Sequence, residues 1–314
     1  MAVPNIDNPS RPLKSDLSMA LKIFAGEVLT TFEGATVILD KHFVKTIQHG
    51  RTAQFPATGV TTAGYHTPGA YLTPSAILSD ERTITIDGLL LASCFVADID
   101  EAMSHYETRS IYSNELGVAL AQAFDKNVFN EIVLGARASG LVGQPGGVSV
   151  IDANLNSATL STKAEAITKA LFSIAASWDA NNVPASPRYA CFKPAEYYAL
   201  VQAVQTNGFS VIHKDYNGRG SLATGKIMEL AGFNILMSNN VPASDMSGWP
   251  YHGVDASTVK GIAWTPQAAA TVKLMSLSVQ QEYSTWHQGT VLVARYAMGH
   301  GYLRPACCAE MKTA

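Results

Sequence analysis

The segment Gly220–Lys226 comes nearest to a chemical motif, because it reproduces most of a loop that cradles phosphate groups. It has two glycines separated by four residues and a lysine after the second, as in GxxxxGK. The full motif ends on a Ser or Thr whose hydroxyl binds Mg²⁺, and Ile227 stands at that position. No apolar strand ending in Asp follows to hold the metal. We therefore interpret the segment as a glycine-rich surface loop and keep a nucleotide-binding enzyme as an alternative.

Residue types that can act as nucleophiles or metal ligands show no recognised motif spacing elsewhere in the sequence. The eight histidines include no HExxH pair, and no serine lies in a GxSxG turn. The sequence therefore predicts no catalytic residue, no cofactor-binding residue and no metal ligand, and we do not expect an enzyme. The cysteines form no CxxC motif and include an adjacent pair, which favours reduced thiols over a disulfide framework: they are Cys94, Cys191, Cys307 and Cys308.

Composition is therefore the main indicator of function. Hydrophobic residues make up 47% of the 314 residues and charged residues only 15%, against about 25% in an average soluble domain. Such a chain is either a neutral monomer or a subunit that covers its surface with copies of itself. The net charge of −3 excludes nucleic-acid binding through overall basicity. The N-terminus is polar, and no apolar run is long enough for a bilayer, so we expect cytoplasmic synthesis and no membrane partner.

Apolar periodicity predicts two helices and one long hairpin in the first half of the chain. Leu17–Gly34 has the pattern of an amphipathic helix. Residues 50–92 contain short β-prone runs punctuated by Pro and Gly, and a connection of this length without a helix is uncommon inside a compact domain. We expect a β-hairpin that lies on a neighbouring subunit; an ordinary β-meander is the alternative. Helical spacing over 98–139 predicts a long helix, in which Gly117 and Gly135 are candidate breaks.

The second half of the chain alternates between predicted helices and strands. Residues 140–161 indicate an irregular connection, and Thr162 with Glu165 has the spacing of a capping box before a helix over 163–181. Met228–Leu230 is predicted to be helical. Alternating apolar residues predict further strands at Arg188–Phe192, Phe233–Met237, Ala270–Val279 and Thr290–Tyr296.

Several segments resemble the major capsid protein of T-seven-like short-tailed bacteriophages, of the podovirus or autographivirus type. The resemblance extends from about residue 17 to residue 305, and over 140–265 it rests on pattern more than on identity. It is most specific at Tyr296–Pro305, which has the sequence YAMGHGYLRP. The other matching segments, in the family's order, are Gly26–Thr30, Ala53–Pro56, Ile84–Leu90, Asp98–Ser110 and Thr271–Leu274.

This resemblance implies an α+β fold, the tailed-phage major capsid fold of the Hong Kong ninety-seven type. That fold has an N-terminal arm, an extended β-hairpin loop, a long spine helix, and peripheral and axial domains. Transferred to this sequence, the parts are the arm at 1–49, the extended loop at 50–92, the peripheral domain at 93–184 with its spine helix at about 98–139, the axial domain at 185–265, and the return to the peripheral domain at 266–314.

The resemblance also implies a function and a set of partners. The chain would assemble as pentamers and hexamers into the icosahedral head of a virion, around double-stranded DNA, inside the host bacterial cytoplasm. Its expected partners are copies of itself, a separate scaffolding protein, a portal protein, possible minor or decoration capsid proteins, and packaged DNA by proximity. An encapsulin-like cellular shell is the alternative. The residues predicted to contact neighbouring subunits are Arg51, Phe55, Tyr65, Tyr71, Glu81, Arg82, Arg109, Trp249, His300 and Arg304.

Overall fold

The computed structural model describes residues 14–59, 61, 63–69, 71, 76–103, 108–202 and 229–314. Within these ranges, only the backbone is described for residues 14–24, 101, 102, 108, 109 and 202. The segment Gly220–Lys226 and the predicted arm up to residue 13 lie outside the described residues.

The described residues form an α+β fold, as predicted. The α-helices are α1 Lys14–Ala35, α2 Asp98–Met103, α3 Thr108–Arg137, α4 Leu160–Ala180 and α5 Pro194–Gln202, with short 3₁₀ turns at Ala153–Asn156 and Pro305–Cys307. The strands are β1 Phe43–Thr46, β2 Thr52–Thr58, β3 Ser79–Thr85, β4 Leu90–Ala97, β5 Val148–Ile151, β6 Tyr189–Phe192, β7 Glu229–Leu230, β8 Phe233–Met237, β9 Val259–Trp264, β10 Ala269–Ser284, β11 Gly289–Tyr302 and β12 Cys308–Lys312.

These strands pair into three sheets within the described part of the chain. One has four strands in the order β1-β10-β11-β4, one has six in the order β5-β12-β9-β6-β8-β7, and the third is the β2–β3 pair. Strands β2 and β3 run antiparallel, which confirms the hairpin predicted from the Pro- and Gly-punctuated segment. The chain divides into two compact units, of which the first comprises residues 1–36, 88–123 and 275–297, and the second the remaining residues.

In the first unit, α1 packs against the N-terminal half of α3 through buried apolar residues and side-chain hydrogen bonds. The Ser113 hydroxyl donates to Oε2 of Glu27 at 2.7 Å, and the Thr31 hydroxyl donates to Oδ1 of Asn114 at 2.7 Å. Helix α1 also contains the predicted segment Leu17–Gly34, so that prediction is confirmed.

In the second unit, the six-stranded sheet and α4 enclose an apolar core. The Trp178 ring of α4 lies 5.3 Å from that of Phe233 on β8, measured between ring centroids. The apolar side chains of α4 recur at helical spacing because one face of the helix must be buried. The buried apolar side chains on that face include Ile167, Leu171, Ile174 and Trp178.

The predicted spine contains two helices, α2 and α3, with residues 104–107 between them outside the described part. Helix α3 alone has 30 residues, which corresponds to about 45 Å at 1.5 Å per residue. It continues through both of its glycines. At each of them another segment of the chain approaches so closely that it leaves no room for a side chain. A Cβ atom at Gly117 would lie 2.9 Å from the carbonyl oxygen of Val28, and one at Gly135 would lie 2.7 Å from Sγ of Cys308.

The prediction that Met228–Leu230 is helical is wrong at its described residues. Glu229 and Leu230 form β7, which pairs antiparallel with β8. The two residues between these strands, Ala231 and Gly232, both have positive φ, at +53° and +80°. Such a pair matches the twist of a tight two-residue hairpin, so the turn geometry decides the local structure here.

The predicted capping box is also wrong. Helix α4 begins at Leu160, so Thr162 lies inside it, and Thr159 occupies the N-cap without a side-chain cap bond. The supposed connection over 140–161 contains β5, which pairs in parallel with β12. A four-residue strand leaves little periodicity to detect, and its partner lies far away in the sequence.

The packing at Gly135 gives a stability prediction. We expect Gly135→Ala to lower the free energy of unfolding by about 1–3 kcal/mol, because the added methyl group overlaps Cys308 and outweighs the better helix propensity of Ala. Urea denaturation of the unassembled chain measures this. The matched control is Gly26→Ala in α1, where nothing lies within 4 Å of an added Cβ, and we expect it to raise stability by up to about 1 kcal/mol. Equal stability of the two variants would contradict the packing described.

Candidate assembly surface

The β2–β3 hairpin carries several of the residues predicted to contact neighbouring subunits. Its register places Phe55 opposite Arg82 and Ala53 opposite Ile84. The second pair is buried in its own chain, whereas Phe55 and Arg82 are half-exposed and Glu81 is exposed. Because side chains alternate between the two faces of a strand, these two pairs share one face of the hairpin. The opposite face, which carries Gln54 and Glu81, is exposed.

Three of the predicted residues meet at one groove beside β2 of the hairpin. Phe55, Arg82 and Arg304 line a groove of about 560 Å³ in the second unit. The Arg82 guanidinium lies 4.0 Å from the ring centroid of Tyr302, a cation–π contact, and Arg304 Nε donates to Oε1 of Gln144 at 3.1 Å. Both cations are therefore oriented by neighbours in their own chain.

The residues between β2 and β3 include large side chains that are exposed to solvent. Tyr65 and Tyr71 are fully exposed, and Ile77 and Leu78 are 56% and 67% exposed. Single exposed apolar residues are common, but four on one connection are characteristic of an interaction surface.

A second set of exposed apolar side chains lies in the first unit, and it was not predicted from the sequence. Leu91 and Phe95 alternate with less exposed neighbours along β4, and both are about half exposed. Trp286 is 94% exposed in the turn that joins β10 to β11. The period-2 pattern of β4 predicts that the strand has two faces but cannot say which face is covered.

The remaining predicted contact residues are dispersed. Arg51 is exposed just before β2, and Arg109 lies in α3, but its side chain is outside the described residues. Trp249 is 38% exposed and its indole donates to Oδ1 of Asn127 at 2.8 Å. It lines a separate cleft of about 490 Å³, together with Lys126 and Lys193.

His300 differs from the other predicted contacts because it is buried in its own subunit. His42 Nδ1 lies 2.7 Å from the carbonyl oxygen of Ile38, which only accepts, so that nitrogen carries the proton. The Thr271 hydroxyl must then donate to His42 Nε2 at 2.7 Å and accept from His300 Nδ1 at 2.9 Å. Burial lowers the pKa of His42 to about 4 and that of His300 well below its ordinary value, so both rings are neutral.

The described residues offer little for catalysis or metal binding. Within them, no three His, Cys, Asp or Glu side chains converge to hold a metal ion. All four cysteines belong to the described part and none forms a disulfide; burial raises the pKa of the Cys191 thiol. No described helix has the length and apolar character required to cross a membrane.

Comparison with known proteins identifies the shared architecture. Residues 54–312 match the family model described as Gp10A-like, major capsid protein. The chain is 32% identical to the major capsid protein of Escherichia phage T7 over 92% of its own length and 90% of the relative's. It is also 32% identical to the minor capsid protein of the same phage, over 92% of this chain and 78% of that one.

A solved structure agrees with these matches. The capsid structure of the cyanophage P-SCSP1u superposes with a TM-score of 0.77 at 37% identity, covering 89% of this chain and 88% of the other. The family and the capsid fold predicted from the sequence are therefore confirmed. This chain belongs to the Gp10A-like family of major capsid proteins and is a structural shell subunit, not an enzyme.

Proposed function

We propose that this chain assembles as pentamers and hexamers into the closed icosahedral head of a tailed phage, around its double-stranded DNA. The supporting observation is the apolar surface that a single chain leaves in water, at Tyr65, Tyr71 and Trp286 above all. Burying apolar area is the main favourable term in association, and only contact with other copies covers these side chains throughout a shell.

We further propose that the segment at 50–92 is the extended loop and lies on a neighbouring subunit. Contact between a hairpin on one copy and a different surface on the next is heterologous, and such contacts close into rings when the rotation between copies permits. Residues 93–184 with 266–314 would form the peripheral domain, 185–265 would form the axial domain near the capsomer centre, and 1–49 would form the arm.

The contact residues that we retain are those with exposed surface in the single chain. Phe55, Arg82 and Arg304 share the groove beside β2, where an apolar side chain of a neighbour would find an apolar floor between two oriented cations. Arg51 and Glu81 are exposed on the same hairpin segment. We do not retain His300, because its ring is enclosed by its own chain.

The contacts are proposed to act collectively. Each would be weak, but a closed shell repeats it many times, so that loss of one subunit requires several contacts to break together. The net charge of −3 gives no general attraction to DNA, which fits a container better than a DNA-binding protein.

The proposed partners extend beyond copies of the chain. They are a separate scaffolding protein that fixes curvature, a portal protein at one vertex, and minor or decoration capsid proteins. The similarity to a protein named as a minor capsid protein supports a related second subunit. Assembly is proposed to take place in the host bacterial cytoplasm, and the finished protein resides in the virion.

Removing the two exposed tyrosines tests the role of the hairpin. We expect Tyr65→Ser with Tyr71→Ser to raise the subunit concentration needed for assembly about tenfold or more, because each subunit loses buried aromatic surface at the interface. Sedimentation velocity and negative-stain imaging measure this, with the candidate scaffolding protein present.

The matched control is Tyr65→Phe with Tyr71→Phe, which keeps both rings and should assemble as the wild type does. The melting temperature of the unassembled Ser variant should not change, since both side chains are fully exposed in the single chain. Normal shells formed by the Ser variant at wild-type concentrations would contradict a role for this surface in assembly.

The proposed scaffold gives a further prediction. We expect the purified chain alone to yield irregular or incomplete particles, and the chain with its scaffolding protein to yield shells of uniform diameter. One subunit surface must fit several positions in the shell. Contacts between subunits alone therefore do not fix the curvature of the shell, and a scaffolding protein would have to set it. Efficient formation of uniform shells by the chain alone, seen in the same imaging assay, would refute a separate scaffold.

A further inference from the structure

One histidine in the second unit is clamped between two carboxylates from distant parts of the sequence. His252 Nδ1 lies 2.7 Å from Oε1 of Glu131, and His252 Nε2 lies 2.7 Å from Oδ2 of Asp87. Carboxylates only accept hydrogen bonds, and only the protonated imidazole donates from both nitrogens. With both carboxyl groups ionised, the geometry therefore requires a charged His252.

The electrostatics agree with this assignment. Burial by itself would lower the pKa of His252, but the hydrogen bonds and charges of Asp87 and Glu131 outweigh it and raise the pKa to about 9. The three side chains are 7%, 12% and 9% exposed, so solvent screens their interaction little. The backbone of His252 also has a positive φ of +59°, an uncommon conformation that local contacts must maintain.

The clamp connects three structural elements. Asp87 follows the second strand of the hairpin, and its backbone N–H donates to the carbonyl oxygen of Met298 at 3.1 Å. Glu131 belongs to α3, and its other carboxylate oxygen accepts the backbone N–H of Tyr302 at 3.0 Å. His252 belongs to the loop that follows β8. One imidazolium thus joins the hairpin base, the long helix and that loop.

The other groups around the ring do not compete for its proton. His300 is neutral, and its ring centroid lies 5.4 Å from that of His252. Tyr251 lies next to His252 in the chain, with its ring centroid 6.3 Å away, and the Cys308 thiol near Glu131 has its pKa raised by burial. Charge on His252 also lowers the pKa of His300, which leaves one charged ring among the buried histidines of the cluster.

We propose that the protonated His252 ring is a latch that holds the base of the β2–β3 hairpin on α3 and on the loop after β8, and that loss of its proton releases the hairpin base. A neutral imidazole donates only one hydrogen bond, so one of the two carboxylates would face a lone pair in a buried site. That arrangement is unfavourable, and Asp87, at the end of the hairpin, is the carboxylate that can move away.

The direction of the pH dependence follows from the raised pKa of His252. The folded-state pKa of His252 lies above its ordinary value, so its contribution to stability is complete below about pH 6.5 and is lost as the pH rises through about 9. Burial also raises the pKa of Asp87, against the opposing effect of His252. The latch therefore fails in base, where His252 loses its proton.

Hydrogen exchange of the full-length chain with millisecond labelling tests the latch. After correction for the intrinsic effect of pH, we expect exchange in a peptide covering 79–90 to rise about tenfold or more between pH 7.5 and 10, with a midpoint near 9. A peptide covering 166–178 of α4 should stay protected. We expect His252→Gln to exchange fast over 79–90 at every pH, and His287→Gln, at an exposed histidine, to match the wild type.

Asp87→Asn decides the question if His252→Gln does not fold. It removes one of the two carboxylates that raise the pKa of His252, so the midpoint of release should move from about 9 towards 6.5. Two results would overturn the proposal: no pH-dependent exchange over 79–90 in the wild type, or an unchanged midpoint in Asp87→Asn. An equal rise over 166–178 would also overturn it, because it would show global unfolding.

Discussion

The structure depends above all on an apolar surface that one chain cannot cover. With 47% hydrophobic and 15% charged residues, the chain fills two compact units and still leaves Tyr65, Tyr71 and Trp286 in water. A soluble monomer would replace such side chains with charges. In the proposed shell, assembly buries them, and the stability of the subunit then resides in the assembly as much as in the fold.

The sequence predicted the parts of this arrangement that rest on local periodicity. Helix α1, most of α3 and the β2–β3 hairpin have patterns of 3.6 or 2 residues with clear interruptions. Strands β5 and β12 escaped prediction, because each is short and they pair with one another across most of the second half of the chain. Helix α3 passes unbroken through Gly135 because β12 packs there, a tertiary contact that a local pattern does not contain.

The candidate surface was predictable to a similar degree. Family resemblance indicated the contact residues. The structure leaves most of those on the hairpin segment exposed, but it buries His300, which belongs to β11. Trp286 and the clamp on His252 were missed. The partners of His252 are 121 and 165 residues away in sequence, so no spacing rule could bring them together. Through Asp87, the clamp connects the base of the hairpin to α3 and to the loop after β8.

Hydroxyl-radical footprinting of the unassembled chain and of purified shells tests most directly whether assembly buries this surface. Labelling of Tyr65, Tyr71 and Trp286, read by mass spectrometry, should fall about tenfold or more in the shell. Trp178, which is fully buried in the single chain, should resist labelling in both states. Equal labelling of the three exposed residues in shells and in free subunits would contradict the account, because it would show that assembly does not bury these side chains.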